Sequence, residues 1–401
     1  MSTPILGYPF SLKMARSPIF ITGKNNTLAL DTLTAMDLNL RIRTGALAAS
    51  GTFNYALSKD YSINQVINFE ISDLVRDQFS HDFTIYDSTG YVDSPTGEAL
   101  WVIPTGSVDY SNNGAASANQ AFPTESNTAF AFLCTDGWNS NVNNPEITTA
   151  RLCVSRERYV LANQYGLLAL NNLQDIDNIS IRWNNGAEDF LYETSGSYTI
   201  PAAGTTTTTS VIYAGVYPQN LNNNPYLIDS TRPSQHQSGD YYDIIVNDSE
   251  GDAVFSQRFY LTCEVKYQPY QLSFINRYGV LDYLTFFKRS DERGAFEQDS
   301  YQKSIYNDAF TSPSTSIGKY QSFNVNSRNS YTLNTGFVGE DHDEVIEDIL
   351  MSENVCLRID GEWVAVVPER GTIEYQKNVN QKLINYTMTF TKAFDQRSLI
   401  R

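Results

Sequence analysis

Apolar and polar residues alternate in short runs along this chain, and a period of two is the side-chain period of a β-strand. Leu38, Leu40 and Ile42 alternate with Asn39, Arg41 and Arg43. Near the C-terminus Ile384, Tyr386, Met388 and Phe390 fall on one face, with Asn385, Thr387, Thr389 and Thr391 on the other. One stretch clearly departs from this pattern. Between Asp341 and Glu353, Val345, Ile346, Ile349 and Leu350 share one side of a helix. Asp341, Asp343 and Glu344 fall in its first turn, where the positive end of the helix dipole favours them. Such a chain folds mainly into sheets.

Composition agrees. The 26 Tyr and 21 Phe suit half-buried pleated surfaces. An apolar fraction of 41% against 18% charged residues supplies a core and argues against a disordered chain. At 401 residues the chain exceeds what one core usually organises. The expected fold is mainly β: two β-sandwich (immunoglobulin-like) domains followed by an α+β domain with one helix packed on an antiparallel sheet. The boundaries fall at an extended N-terminal arm (1–14), a β-sandwich domain (15–165), an immunoglobulin-like β-domain (166–265) and an α+β assembly domain (266–401).

Within the first domain, residues 63–71 read as a strand followed by one helical turn over 72–77. Residues 82–86, 99–103, 129–134 and 149–154 read as further strands, and the Gly, Ser and Asn-rich stretch 109–120 as a connection. Residues 205–209 read as a strand extension. Residues 241–246 and 253–260 flank a charged turn and form a hairpin. Residues 271–275 and 283–287 form a strand–turn–strand unit. Residues 355–359 and 363–367 form another around Asp360-Gly361, a preferred tight turn.

The net charge of −17 repels phosphate backbones, and no basic patch offsets it: Lys288-Arg289 is followed at once by Asp291 and Glu292. Direct nucleic-acid binding is therefore not expected. No run approaches the roughly 20 apolar residues of a membrane-spanning helix, so membrane insertion is not expected. The N-terminus lacks the basic start and apolar run of a signal peptide, so the chain is expected to be made and kept in a cytosol. Cys134, Cys153, Cys263 and Cys356 are widely spaced and read as reduced core residues.

Motifs for chemistry are sparse. His81 reads as a loop histidine and His236 as part of a polar loop, while His342 belongs to the acidic start of the helix. The acidic run 248–252 reads as a charged hairpin turn rather than a calcium loop. No HExxH, GxSxG or phosphate-cradling glycine loop occurs, so no enzyme, catalytic residue, metal or cofactor is expected. Tyr8 and Phe10 in the arm, and Trp138 in the polar loop 136–141, are the candidate interface residues; Trp138 reads equally as packing its own loop, with a glycan platform as the lesser alternative. Trp363 reads as core.

Three C-terminal stretches carry a resemblance. They are Phe274-Ile275-Asn276-Arg277-Tyr278-Gly279-Val280 with Phe286-Phe287-Lys288-Arg289-Ser290, then Leu333 to Val338 with the helix to Glu353, then Lys382 to Thr387 with Phe390 and Ala393-Phe394-Asp395. Ser17 to Ile21, Tyr55 to Lys59 and Ile67 to Arg76 extend it to the N-terminal region. Together they resemble a family of uncharacterised virion structural proteins of tailed phages of Bacteroidetes and marine bacteria, including crAss-like phages. The resemblance implies a non-enzymatic subunit of a tail, neck or baseplate that assembles into rings. Its partners would be other copies of itself and other virion proteins, and its location the virion. The alternative is a receptor-binding or carbohydrate-binding virion protein with a glycan partner.

Overall fold

The computed structural model describes residues 12–24, 31–44, 53–60, 66–112, 115–121, 131–139, 146–185, 190–199, 211–223, 240–262, 266–304, 318–339, 341–371 and 384–397. The chain is mainly β, in several sheets, with short helices. It divides into two compact units. The first is 1–263 with 274–284; the second is 264–273 with 285–401.

The first unit is built on a seven-stranded sheet. Its order is Glu146–Ile147, Leu12–Met14, Phe132–Thr135, Ala99–Asn112, Asp31–Thr44 and Phe53–Asp60, with Ala115–Ala121 added to Ala99–Asn112. The alternation at 38–42 does what its period demands: Met36, Leu38, Leu40 and Ile42 are buried, while Asp37 and Asn39 are exposed. They meet Leu100, Val102, Phe132 and Cys134 on one side. From the other side come Ile19, Ile21, Ile67 and Phe69 of the antiparallel pair Phe20–Lys24 and Val66–Glu70, and Val75 of the helix Ser72–Arg76. Burying this continuous apolar layer is the main stabilising term of the region.

Two further sheets complete the unit. One runs Glu157–Val160, Ala253–Leu261, Tyr241–Asn247, Asn178–Asn184 and Phe190–Thr199; the other runs Leu168–Asn171, Val211–Ala214 and Tyr91–Asp93. Tyr242 lies at the centre of an aromatic layer. Its ring stacks on Phe259 with centroids 5.0 Å apart, meets Trp183 at 4.5 Å, and its hydroxyl donates to the Val216 carbonyl at 2.9 Å.

These sheets do not respect the sequence boundary at 165. Tyr91–Asp93 pairs with Val211–Ala214, and Glu157–Val160 pairs in parallel with Arg258–Leu261. Segments expected in two consecutive domains therefore share sheets, because pairing is decided by register across long separations. Other expectations shift too. Of the arm 1–14, residues 12–14 form a strand inside the seven-stranded sheet, with Leu12, Lys13 and Met14 all buried; residues 1–11 lie outside the described residues. Residues 82–86 are not a strand. The Asp82 carboxylate accepts from the Thr84 N–H at 2.8 Å and its hydroxyl at 2.7 Å, starting a tight 3-10 turn over Thr84–Asp87. The stretch 109–120 is an antiparallel pair rather than a loop. Of 149–154, Arg151 makes only an isolated bridge to Leu170.

The second unit holds most of an eight-stranded sheet. Its order is Leu281–Phe286, Tyr270–Ile275, Val355–Ile359, Glu362–Pro368, Ile384–Lys392, Tyr320–Val338 and Asp291–Gln302, with Gln396–Arg397 added to Tyr320–Val338. The Asp360-Gly361 turn is left-handed at both residues (φ 53° and 91°), the geometry that such a two-residue hairpin turn requires. Ile384, Met388 and Phe390 are buried, and Asn385 and Thr387 exposed. Phe390 meets Phe286 edge-on at 5.7 Å. The helix His342–Met351 buries Val345, Ile346 and Ile349. The Tyr386 hydroxyl donates to the Asp343 carboxylate near one end of this helix, and the Arg370 guanidinium donates to the Leu350 and Ser352 carbonyls at the other, both at 3.1 Å. Trp363 is half-buried rather than core, with the Arg358 guanidinium 6.0 Å from its ring.

Candidate functional site

Two features of the molecule cost something to build and are not explained by an apolar core. The first is a buried array of charges in the first unit. Two residues after strand Leu12–Met14, Arg16 donates through Nε and Nη2 to both carboxylate oxygens of Asp136, at 2.9 and 2.8 Å. Asp136 also meets Nε2 of His81 at 3.3 Å. Nδ1 of His81 lies 3.8 Å from Glu98, whose side chain is 0% exposed. Charges therefore alternate along Arg16, Asp136, His81 and Glu98.

The ionisation of this array follows from burial against pairing. Burial alone would strip the proton from His81, but the hydrogen bond to Asp136 and the nearby carboxylates of Asp136 and Glu98 outweigh it and raise the imidazole to about 9. Burial would raise Asp136, yet His81 and Arg16 bring it below its ordinary range. Glu98 goes the other way: burial pushes it up, only partly opposed by His81 and Tyr213. The sequence reading of His81 as a loop histidine is thus corrected. Its side chain is 5% exposed and bound between two carboxylates. Nothing adjacent in sequence signals this, because its partners lie 17 and 55 positions away.

Beside this array sits the tip of a hairpin, residues 274–284, which belongs to the first unit although its base belongs to the second. Every residue of its strands Tyr270–Ile275 and Leu281–Phe286 is buried. The tip is fixed by polar contacts. Arg158, itself buried, donates to the Tyr283 carbonyl at 2.6 Å and to Asp282 at 2.8 Å. Burial disfavours its charge, but Asp282 holds it firmly charged. Asn276 donates to the Leu152 carbonyl at 2.8 Å and accepts from the Tyr278 N–H at 2.9 Å. The Leu281 N–H donates to the Tyr213 hydroxyl at 2.9 Å.

Two glycines make this approach possible. A Cβ on Gly279 (φ 75°) would lie 2.4 Å from the Gly137 nitrogen, and one on Gly137 would lie 2.6 Å from the Arg277 oxygen. Trp138 follows Gly137. Its N–H donates to the Arg277 carbonyl at 2.7 Å, and the Arg277 guanidinium lies 5.4 Å from its ring. The structure therefore places Trp138 half-buried against the hairpin tip of its own unit. Tyr8 and Phe10 lie outside the described residues, so the three candidate interface residues are not brought together here.

The second feature is an arm in the second unit. Strand Asp291–Gln302 pairs with the first half of Tyr320–Val338, and almost every residue of it is exposed. Phe296, Tyr301, Tyr320 and Phe323 stand out on this ribbon, Phe296 at 75% exposure. Tyr301 and Phe323 meet edge-on at 5.7 Å. Sequence reasoning left residues 289–332 unassigned. A strand exposed on both faces carries no apolar alternation, so the pattern that revealed the other strands is missing here.

Near the base of the arm a groove of about 480 Å³ is lined by Tyr267, Lys288, Phe337, Asn334, Asn385 and Thr387 among others. Phe337 is exposed, and Asn334 donates to Asn385 at 3.2 Å and to Thr387 at 2.8 Å. Aromatic faces beside planar amides and hydroxyls can stack on and hydrogen-bond a polar ring.

Among the described residues no group of three or more His, Cys, Asp and Glu is placed to hold a metal ion. His342 is buried and meets Asp341 at 3.1 Å. Asp248 accepts from the N–H groups of Glu250 and Asp252 at 3.0 and 2.8 Å, the contacts of a hairpin turn. Cys134, Cys153 and Cys356 are free thiols, the first two buried and the third partly so; Cys263 and His236 lie outside the described residues. Among the described residues no helix is long and apolar enough to cross a membrane. No protein-family model matches the chain, and no curated protein sequence matches it.

Proposed function

We propose that this chain is a non-enzymatic structural subunit of a tailed bacteriophage virion, forming a ring or adaptor in the tail, neck or baseplate. The observation that carries the reading is the exposed arm of residues 291–302 and 320–324. A two-stranded ribbon buries too little to be stable by itself, and exposed Phe and Tyr gain most when a partner covers them. A chain that maintains such an arm is suited to contact other proteins. The resemblance of segments 274–290, 333–353 and 382–395 to phage virion proteins supports the same reading.

In this reading the immunoglobulin-like sandwiches of the first unit are rigid carriers. The α+β region with its helix is the assembly part, and the partners are other copies and other virion proteins. The subunit is made in the bacterial cytoplasm and ends in the virion. In this reading the buried array and the docked tip hold backbone segments in register.

A second reading, a receptor-binding or carbohydrate-binding virion protein, is favoured by one observation: the groove beside Phe337 and Tyr267. Electron cryomicroscopy of the purified chain, with mass photometry across a concentration series, separates the two. Closed particles of fixed stoichiometry are the expected result. A monomer whose melting temperature rises with surface glycans, and loses that rise in Phe337→Ala, replaces the assembly reading with the second.

A further inference from the structure

Strand Asp291–Gln302 is the last strand of its sheet among the described strands, so its outer edge presents unpaired backbone groups over twelve residues. From its residue order we infer that this edge pairs antiparallel with the same strand of a second copy, across a two-fold axis at Phe296. The pairing joins two sheets edge to edge into one. It is an isologous contact, different in kind from the head-to-tail contacts that close a ring, and it does not depend on the virion reading.

The argument is one of register. With Phe296 opposite Phe296, Arg293 of each copy stands opposite Asp299 of the other, giving two opposite-charge cross-strand pairs and an aromatic pair on the axis. No like charges stand opposite one another in this register. A slip of one residue in one direction places Glu292 opposite Asp299. A slip of one in the other direction removes both attractive pairs; a slip of two that way places Glu297 opposite itself, and a slip of two the first way sets Asp291 against Asp299 beside each Arg293–Glu297 pair, so that repulsion offsets attraction. Charges along an edge usually oppose pairing; here they permit one register and penalise its neighbours.

Local geometry agrees with this centre. Gly294 precedes Phe296 on the same face, and a Cβ there would lie 3.1 Å from the Phe296 ring, so the ring lies along the glycine and its other side is open. Asp299 accepts from the Asn324 amide at 2.9 Å, and a carboxylate can accept further bonds. The net charge of −17 on each copy opposes self-association at long range. Contacts at this edge are therefore decided by which charges meet at close range.

The test uses the full chain in sedimentation equilibrium and mass photometry. The wild-type chain is expected to dimerise below about 100 µM. Arg293→Asp and Asp299→Arg should each weaken the dimer at least about tenfold, because each replaces two opposite-charge pairs with like-charge pairs. The double variant Arg293→Asp/Asp299→Arg restores both pairs and should restore dimerisation. These positions are exposed, so unchanged melting and circular dichroism keep the comparison clean.

A cysteine pair gives an independent readout. Phe296→Cys should form a disulfide-linked dimer under mild oxidation, above the level of the wild-type chain. Ser300→Cys should not, because its two copies would lie about 26 Å apart in this register. A wild-type monomer at about 100 µM, single reversals without effect, or reversals that the double variant fails to rescue would overturn the pairing. Closed particles that survive both reversals would overturn it as well, while leaving the assembly reading in place.

Discussion

Two consecutive hairpins in this chain meet opposite fates. The strands Tyr270–Ile275 and Leu281–Phe286 are buried at every position; strand Asp291–Gln302, five residues on, is exposed almost throughout. Both have antiparallel partners, so backbone hydrogen bonding does not separate them. Side chains do. The first hairpin carries Leu272, Phe274, Leu281, Tyr283 and Phe286, and two of its buried polar residues, Asn276 and Asp282, find the Leu152 carbonyl and Arg158. The second carries Asp291, Glu292, Arg293, Glu297 and Asp299 around one phenylalanine. A strand is held in a core by what it buries and by partners for its polar groups, whereas the arm relies on its ladder and whatever covers it.

The comparison can be broken first at Asp282. Asp282→Ala leaves the Arg158 guanidinium buried without its carboxylate, and should lower stability by about 3–5 kcal/mol, read from urea unfolding. Next comes the close approach of glycines. Gly279→Ala should cost about 3 kcal/mol, since its Cβ meets backbone at 2.4 Å in a left-handed conformation. Gly361→Ala, equally left-handed but with nothing within 4 Å, should cost only about 1 kcal/mol. Similar losses at the two sites would show that the tip is not tightly docked.

A smaller effect is expected from pH. His81 is raised from 6.5 to about 9 in the folded chain, so folding binds a proton across that window. Its contribution is complete below the unfolded value and disappears as pH rises through about 9, a loss of at most about 3 kcal/mol. His81→Gln should be less stable at neutral pH and should flatten this alkaline decline. A wild-type chain equally stable on both sides of the window would deny the paired charge. Smallest of all, Phe296→Ala on the exposed arm should change monomer stability by less than about 0.5 kcal/mol. A larger loss would mean that the arm packs on its own chain.

Much of the fold was legible because burial is periodic. The alternation over 38–43, the Asp360-Gly361 hairpin, the charged turn at 248–252 and the helix between Asp341 and Glu353 each announced themselves by spacing or by turn chemistry. The arm was hidden because a ribbon exposed on both faces has no apolar period. The sheet that joins residues 91–93 to 211–214 was hidden because pairing partners lie far apart in sequence.

The site divides the same way. Trp138 could be singled out as an aromatic in a polar loop, but only the structure placed it against Arg277. His81 read as a loop histidine, and the decisive facts were Asp136 and Glu98 arriving from distant segments. The amino-acid sequence alone determined that this chain is β-rich and acidic, and it located the strands with one buried face and several of the tight turns, since these depend on neighbours a few residues away. Tertiary structure alone decided which strands share a sheet, which charges are buried together and which hairpin stays exposed. Those depend on contacts between residues that the chain separates by tens to hundreds of positions, and the low-dielectric interior gives such contacts their strength.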